Sequence, residues 1–143
     1  MDFNTFSVVG RCPRTGDFGV AVATARPAVG SVVPWASLAG AVATQARTNT
    51  ALGRGAIALL EHDVPVAVAL EGLLASDPDR DHRQAHGVDR RGGVFAHTGA
   101  SCVPWCGDRL GEGFSVAGNM LTGPEVLEAM ARAFGGSADA ELA

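Results

Sequence analysis

The sequence predicts an α+β domain built as a four-layer α-β-β-α sandwich, with two antiparallel sheets face to face and helices on the outside. Three observations lead there. Apolar runs of strand length come in pairs joined by short linkers that carry glycine, the pattern of hairpins. Blocks with apolar residues at helical spacing fall between groups of strands, not after every strand. Hairpins in place of single-strand crossovers favour antiparallel sheets over one open parallel sheet. At 143 residues the chain is one domain, residues 1–143, long enough to bury a core.

Taken in order, Thr5-Phe6-Ser7-Val8-Val9 is a strand by residue type. Residues 11–17, with Pro13 and Thr15-Gly16, form a turn, and residues 18–23 return as the second strand. Residues 31–35 and 40–44 are further apolar runs, either two short strands or one strand after a loop. Residues 50–61 read as a helix capped by Thr50 and weakened by Gly53 and Gly55. A firmer helix covers residues 63–76. Asp63 suits its cap and Pro65 its first turn, Val66, Leu70, Leu73 and Leu74 share a face, and Asp77-Pro78 ends it.

Residues 84–88 and 94–97 flank Asp89-Arg90-Arg91-Gly92-Gly93 as a hairpin, expected at the centre of a sheet. Residues 100–113 read as a loop and 114–118 as a short strand. Thr122-Gly123-Pro124-Glu125 matches a capping box, in which hydroxyl and carboxylate each meet a free backbone donor. Val126, Leu127, Met130, Ala131 and Phe134 then form a buried stripe, which Gly135-Gly136 closes.

Composition excludes several functions. A net charge of -4 argues against nucleic-acid partners, because no excess of cations awaits phosphates. All eleven basic residues are Arg, so a lysine base, a Schiff base and a phosphate-loop lysine are impossible within this chain. No stretch has the length of a membrane span, and the N-terminus lacks the features of a signal peptide, so no membrane partner is expected. Three cysteines exclude a full disulfide framework, and a cytoplasmic location is the simplest expectation. Cys102 and Cys106 lack the spacing and the fourth ligand of a zinc site, so no metal and no cofactor is expected.

The polar residues that stand out gather in His82–Trp105, which holds three of the four histidines. His97 is a candidate general base, with Thr98 beside it, or a histidine satisfied by backbone at a strand end. Arg83 is a candidate for holding a substrate carboxylate, or a loop arginine paired with Asp79 or Asp81. Gln45, Asn49 and Asn119 end apolar strands. Their amides suit an oxyanion or substrate contact, or the tying of loops.

Four segments, TFSVVGRCPRTGDFGVAVAT, PAVGSVVPWASLAGAVATQARTN, HRQAHGVDRRGGVFAHTG and FSVAGNMLTGPEVLEAMARAF, resemble the bacterial family of unknown function DUF1028 over nearly the whole chain. The resemblance implies a fold similar to the N-terminal-nucleophile (Ntn) hydrolases. In such enzymes the nucleophile opens the first strand, which is the position of Thr5, and its own α-amine acts as the base. Here Met1-Asp2-Phe3-Asn4 precede Thr5, so this chemistry requires a cut after Asn4. Where members of the family often have A-V-A-S-K-F, this chain has Ala21-Val22-Ala23-Thr24-Ala25-Arg26, with Ala25 in the lysine position.

Two functions are expected. One is a hydrolase of an amide-type bond in a small molecule, with Thr5, His97 and Asn119 catalytic and Gln45, Asn49, Arg83 and Thr98 binding substrate. The other is a non-catalytic domain that binds a small ligand or oligomerises. A homodimer or higher homo-oligomer is expected, with Val32, Val33, Trp35 and Leu38, or the loop carrying Trp105, as the apolar interface.

Overall fold

The structure is a computed structural model that describes residues 4–140 and 142. Eight strands and three helices alternate in blocks. The order is β1 (Thr5–Arg11), β2 (Phe18–Thr24), β3 (Pro34–Ser37), β4 (Gly40–Ala46), α1 (Thr50–Glu61), α2 (Val66–Ala75), β5 (Arg83–Asp89), β6 (Val94–Thr98), β7 (Gly107–Gly111), β8 (Phe114–Asn119) and α3 (Glu125–Gly135). They form two four-stranded antiparallel sheets, β2-β1-β8-β7 and β3-β4-β5-β6.

The two sheets are stacked. Strand β1 contacts β4 and β5, and β8 contacts β5 and β6. Helices α1 and α2 cover the outer face of the second sheet, and α3 covers β7 and β8 on the outer face of the first. Each interface holds its own apolar cluster. Leu52, Ala56, Leu60, Val66 and Leu70 fill the space under α1 and α2 around Val42 and Ala85. Val9, Val33, Ala41, Ala43 and Val88 lie between the sheets. Phe114, Val116, Leu121 and Leu127 lie under α3. Both faces of the inner strands are therefore buried, and every residue of β5 and β8 is buried.

Several local expectations change. The β5–β6 hairpin is not central, because β6 is an edge strand. Residues 107–111, expected as loop, form the edge strand β7, paired with β8 around a turn at Glu112-Gly113, where Gly113 has φ +71°. Asp63 does not cap α2. It sits at φ +61° and pairs with Arg90 at 3.5 Å. The orphan N–H of Val66 instead donates to the Asp89 carboxylate from the end of β5, at 3.0 Å. Asn49, not Thr50, caps α1, accepting from the Ala51 N–H at 3.0 Å. The Thr122 hydroxyl donates directly to Glu125 at 3.1 Å, and α3 starts at Glu125, so the reciprocal capping box does not form.

The apolar segment expected at an interface folds largely onto the domain itself. Val33 is in the core, and Trp35 packs beside Gly53 of α1 while its indole N–H donates to the Val32 carbonyl at 3.1 Å. Leu38, at the β3–β4 turn, remains 96% exposed. No helix among the described residues is long and apolar enough to cross a membrane.

Candidate functional site

Side chains alternate along a strand, and the register shows which of them face the space between the sheets. On β1 these are Thr5, Ser7 and Val9. Opposite them lie Thr24, Val22 and Val20 of β2, and Asn119, Ala117 and Ser115 of β8. On the second sheet Gln45 of β4, Gln84 and His86 of β5 and Thr98 of β6 face inward, in register with one another. One end of the sandwich is thus apolar and the other is lined with hydroxyls, amides and an imidazole.

These groups form one connected hydrogen-bond chain whose direction follows from two backbone carbonyls. Gln84 places one amide atom 2.8 Å from the Gly118 carbonyl and 3.1 Å from the Gly107 carbonyl, so that atom is the donor Nε2. It also donates to the Thr98 hydroxyl at 3.1 Å, and Thr98 donates to Asp108 at 2.6 Å. The Gln84 carbonyl oxygen must then accept, and it does so from Gln45 Nε2 at 3.1 Å and Asn119 Nδ2 at 2.9 Å. That orients Gln45 so that its oxygen accepts from the Ser7 hydroxyl at 2.7 Å. With its proton committed to Gln45, Ser7 accepts from His86 Nε2–H at 2.7 Å. His86 Nδ1 is left as an acceptor for the Ser115 hydroxyl at 2.8 Å. The network therefore assigns the Nε2–H tautomer to His86.

Ser7, Gln84, His86 and Ser115 are fully buried. Burial penalises the imidazolium and pushes the pKa of His86 down to about 3. A neutral histidine without solvent access joins the sheets and does not shuttle protons at neutral pH. Its four direct and relayed partners come from both sheets, so the network also fixes how the sheets stack.

Thr5 lies at the polar end, half-buried. Its hydroxyl is 2.9 Å from the hydroxyl of Thr24, and its neighbour across β8 is Asn119. Asn119 gives Nδ2 to Gln84, and its carbonyl oxygen has no hydrogen-bond partner among the described residues. Thr5, Gln45, Asn119 and Thr98 are therefore brought to one end of the sandwich.

The other candidates lie elsewhere. His97 alternates with Thr98 and points to the opposite face of its sheet, where its Nε2 is 3.1 Å from the Arg80 carbonyl. The second sheet separates it from Thr5, so the pairing of Thr5 with His97 in one cleft does not occur. Arg83 also faces outward. It clamps Asp77 with bonds of 3.0 and 3.2 Å, touches Asp79 at 3.4 Å and donates to the Arg47 carbonyl at 2.6 Å. Asn49 donates to the same Asp77 at 2.9 Å. The bonds from Arg83 outweigh burial and hold the Asp77 carboxyl at about 2, below its ordinary value. Arg83 and Asn49 tie the chain between β4 and α1 to the chain between α2 and β5, with their polar atoms committed to that task.

Sequence reasoning missed Ser7, Thr24, Ser115 and Asp108 as members of the polar end; it expected His86 to join Arg83, His97 and Thr98 in one wall and Gln84 to join His82 and Arg83 in holding an anion, whereas both turn inward, away from Arg83 and His97. The available signal was polar residues two apart, Thr5 with Ser7 and Gln84 with His86, inside otherwise apolar strands.

A model of the family of unknown function DUF1028 matches residues 5–143, beginning at Thr5. The crystal structure of protein SPO2555 from Silicibacter pomeroyi, attributed to the same family, is similar with a TM-score of 0.88 and 31% sequence identity. The match covers 98% of this chain and 61% of that one, so this chain spans about three fifths of that protein's length. No curated protein matches.

Proposed function

The chain belongs to the family of unknown function DUF1028, and from its polar end we propose that it hydrolyses an amide-type bond of a small molecule, with Thr5 as the nucleophile. The observation that carries this reading is the position of Thr5. It opens β1 on the inner face, beside Thr24 and across from Asn119, at the strand position where a sequence resemblance to the Ntn hydrolases would put the nucleophile.

The chemistry requires the bond between Asn4 and Thr5 to be cut. The freed α-amine takes the Thr5 hydroxyl proton while the oxygen attacks the substrate carbonyl carbon. The tetrahedral adduct then expels the amine, which leaves with that proton, and an ester on Thr5 remains. Water attacks the ester, the α-amine again removes a proton, and the acid departs as the Thr5 hydroxyl re-forms. No lysine assists, since the chain has none, so the α-amine is the only base this route uses. Thr24 holds the Thr5 hydroxyl, and Asn119 offers a carbonyl oxygen whose orientation Gln84 fixes.

A second reading, a non-catalytic domain that binds a small ligand or a second copy of itself, is favoured by the amides of Gln45 and Gln84. Both spend their oxygen and at least one N–H on bonds within the fold. Leu38 would lie at the contact of such an oligomer. Intact mass of the purified chain separates the readings. A species beginning at Thr5, absent in a Thr5→Ala variant, supports the hydrolase, whereas an uncut N-terminus removes the self-activated threonine.

A further inference from the structure

Strand β2 ends the first sheet, and its outer edge has no neighbouring strand. The Cys12 N–H donates to the Asp17 carbonyl at 2.7 Å, and bonded and non-bonded pairs alternate along an antiparallel ladder. Gly19, Ala21 and Ala23 therefore exchange their backbone bonds with β1, and the N–H and C=O groups of Phe18, Val20, Val22 and Thr24 turn outward. Among the described residues none of these outward groups has a hydrogen-bond partner. An unpaired edge invites another chain, and proteins blunt such edges by short length, proline, charge or covering. The other three edges are blunted in this way. Strand β3 has four residues and starts at Pro34, β7 carries Asp108 and Arg109, and β6, five residues long, packs against β7. Strand β2 has seven residues, Phe18-Gly19-Val20-Ala21-Val22-Ala23-Thr24, with neither charge nor proline. On its outer face Ala21 and Ala23 are exposed.

We infer that the edge of β2 pairs with β2 of a second copy of this chain, antiparallel about a two-fold axis at Ala21. The segment is self-complementary in that register. Val20 and Val22 of one copy exchange backbone bonds with Val22 and Val20 of the other, and Phe18 and Thr24 do the same with Thr24 and Phe18, so every outward group is paired. Ala21 meets Ala21 as a non-bonded pair, in which Cα atoms come about 4.5 Å apart and small side chains fit. No like charges are brought together. The first sheets of the two copies then merge into one continuous antiparallel sheet. An edge of seven residues is about 23 Å long and two stacked sheets are about 20 Å deep, so roughly 900 Å² is covered over both copies, the size of a weak association. The pairing sets Phe18 of the second copy beside Thr24, at the rim of the polar end, yet it depends on neither reading of Thr5.

Sedimentation velocity of the full chain, from low micromolar to about 0.5 mM, should show a monomer giving way to a dimer. Amide hydrogen exchange reads the register. The amides of Phe18, Val20, Val22 and Thr24 should slow by about tenfold or more as concentration rises, whereas those of Gly19, Ala21 and Ala23, already bonded to β1, should change little. Ala21→Lys sets two ammonium groups face to face and should raise the dissociation constant by about tenfold or more, as should Ala21→Glu, while an equimolar mixture of the two variants should dimerise again. A chain that stays monomeric throughout this range overturns the inference. So does a dimer without the alternating exchange pattern, or one that Ala21→Lys leaves intact, since its contact would lie elsewhere, as at the exposed Leu38. The exchange pattern of the unmodified protein decides the question even where a variant fails to fold.

Discussion

Acidification should destabilise this protein through His86. In the unfolded chain a histidine takes up a proton near pH 6.5, whereas His86 in the fold does so only near 3. Between these values the unfolded state binds a proton that the folded state excludes, so stability falls as pH falls. Its contribution is fully present above about pH 6.5 and is lost progressively down to about 3. Lowering pH from 7 to 5 shifts the equilibrium toward the unfolded chain by about 25-fold, or ~2 kcal/mol, and any folded value below about 4 gives nearly the same result. Asp77 does not interfere, because both its folded value of about 2 and its ordinary value of 3.8 lie below this window. The assay is urea unfolding at pH 7 and pH 5 for the wild type and for His86→Gln. The variant should be less stable at pH 7 by ~1–3 kcal/mol, through its disturbed bonds to Ser7 and Ser115. It should also lack the extra ~2 kcal/mol loss at pH 5. Equal losses in the two proteins would refute the buried neutral histidine.

Three further outcomes follow from the same geometry. Nitrogen-15 shifts of the His86 ring should report the Nε2–H tautomer between pH 5 and 8; the Nδ1–H tautomer would overturn the direction assigned to the network from Gln84. Arg83→Leu should cost ~3 kcal/mol at pH 7, because it strands the buried Asp77 carboxylate, and the cost should shrink as pH falls toward the ordinary value of 3.8 at which Asp77 can become neutral; a loss below ~1 kcal/mol in urea unfolding would contradict it. Gly53→Ala should lower the melting temperature although alanine is favoured in helices by ~1 kcal/mol, since its Cβ would overlap the Trp35 ring; a raised melting temperature would show that Trp35 yields freely.

The sandwich was legible because hairpins and helical stripes leave strong local signals. The first hairpin, α1, the stripe of α3 and the residue composition of β5 all appear in the sequence at nearly their observed positions. Strand β7 was not legible. Gly107-Asp108-Arg109-Leu110-Gly111 has one large apolar residue, and its strand form comes from pairing with β8 and from Arg109 reaching Glu128. The cap of α2 was illegible for a related reason, as Asp89 reaches it from a strand far along the chain.

The candidate site was half legible. Alternation puts Gln84 with His86, and Arg83 with Ala85, on opposite faces of β5. It does not say which face meets the other sheet, because in four layers both faces are buried and hydrophobicity no longer separates inside from outside. The same ambiguity let His97 and Thr98 be placed together, although consecutive residues of a strand must part.

Covalent labelling tests the proposed role of Thr5 most directly. The purified chain would be treated with a β-lactone, an acylating reagent for activated hydroxyls, and digested, and the modified residue mapped by mass spectrometry. One ester adduct is expected, on the hydroxyl of a Thr5 that begins the chain. Thr5 still linked to Asn4 and unmodified, after complete exposure to the reagent, would contradict it.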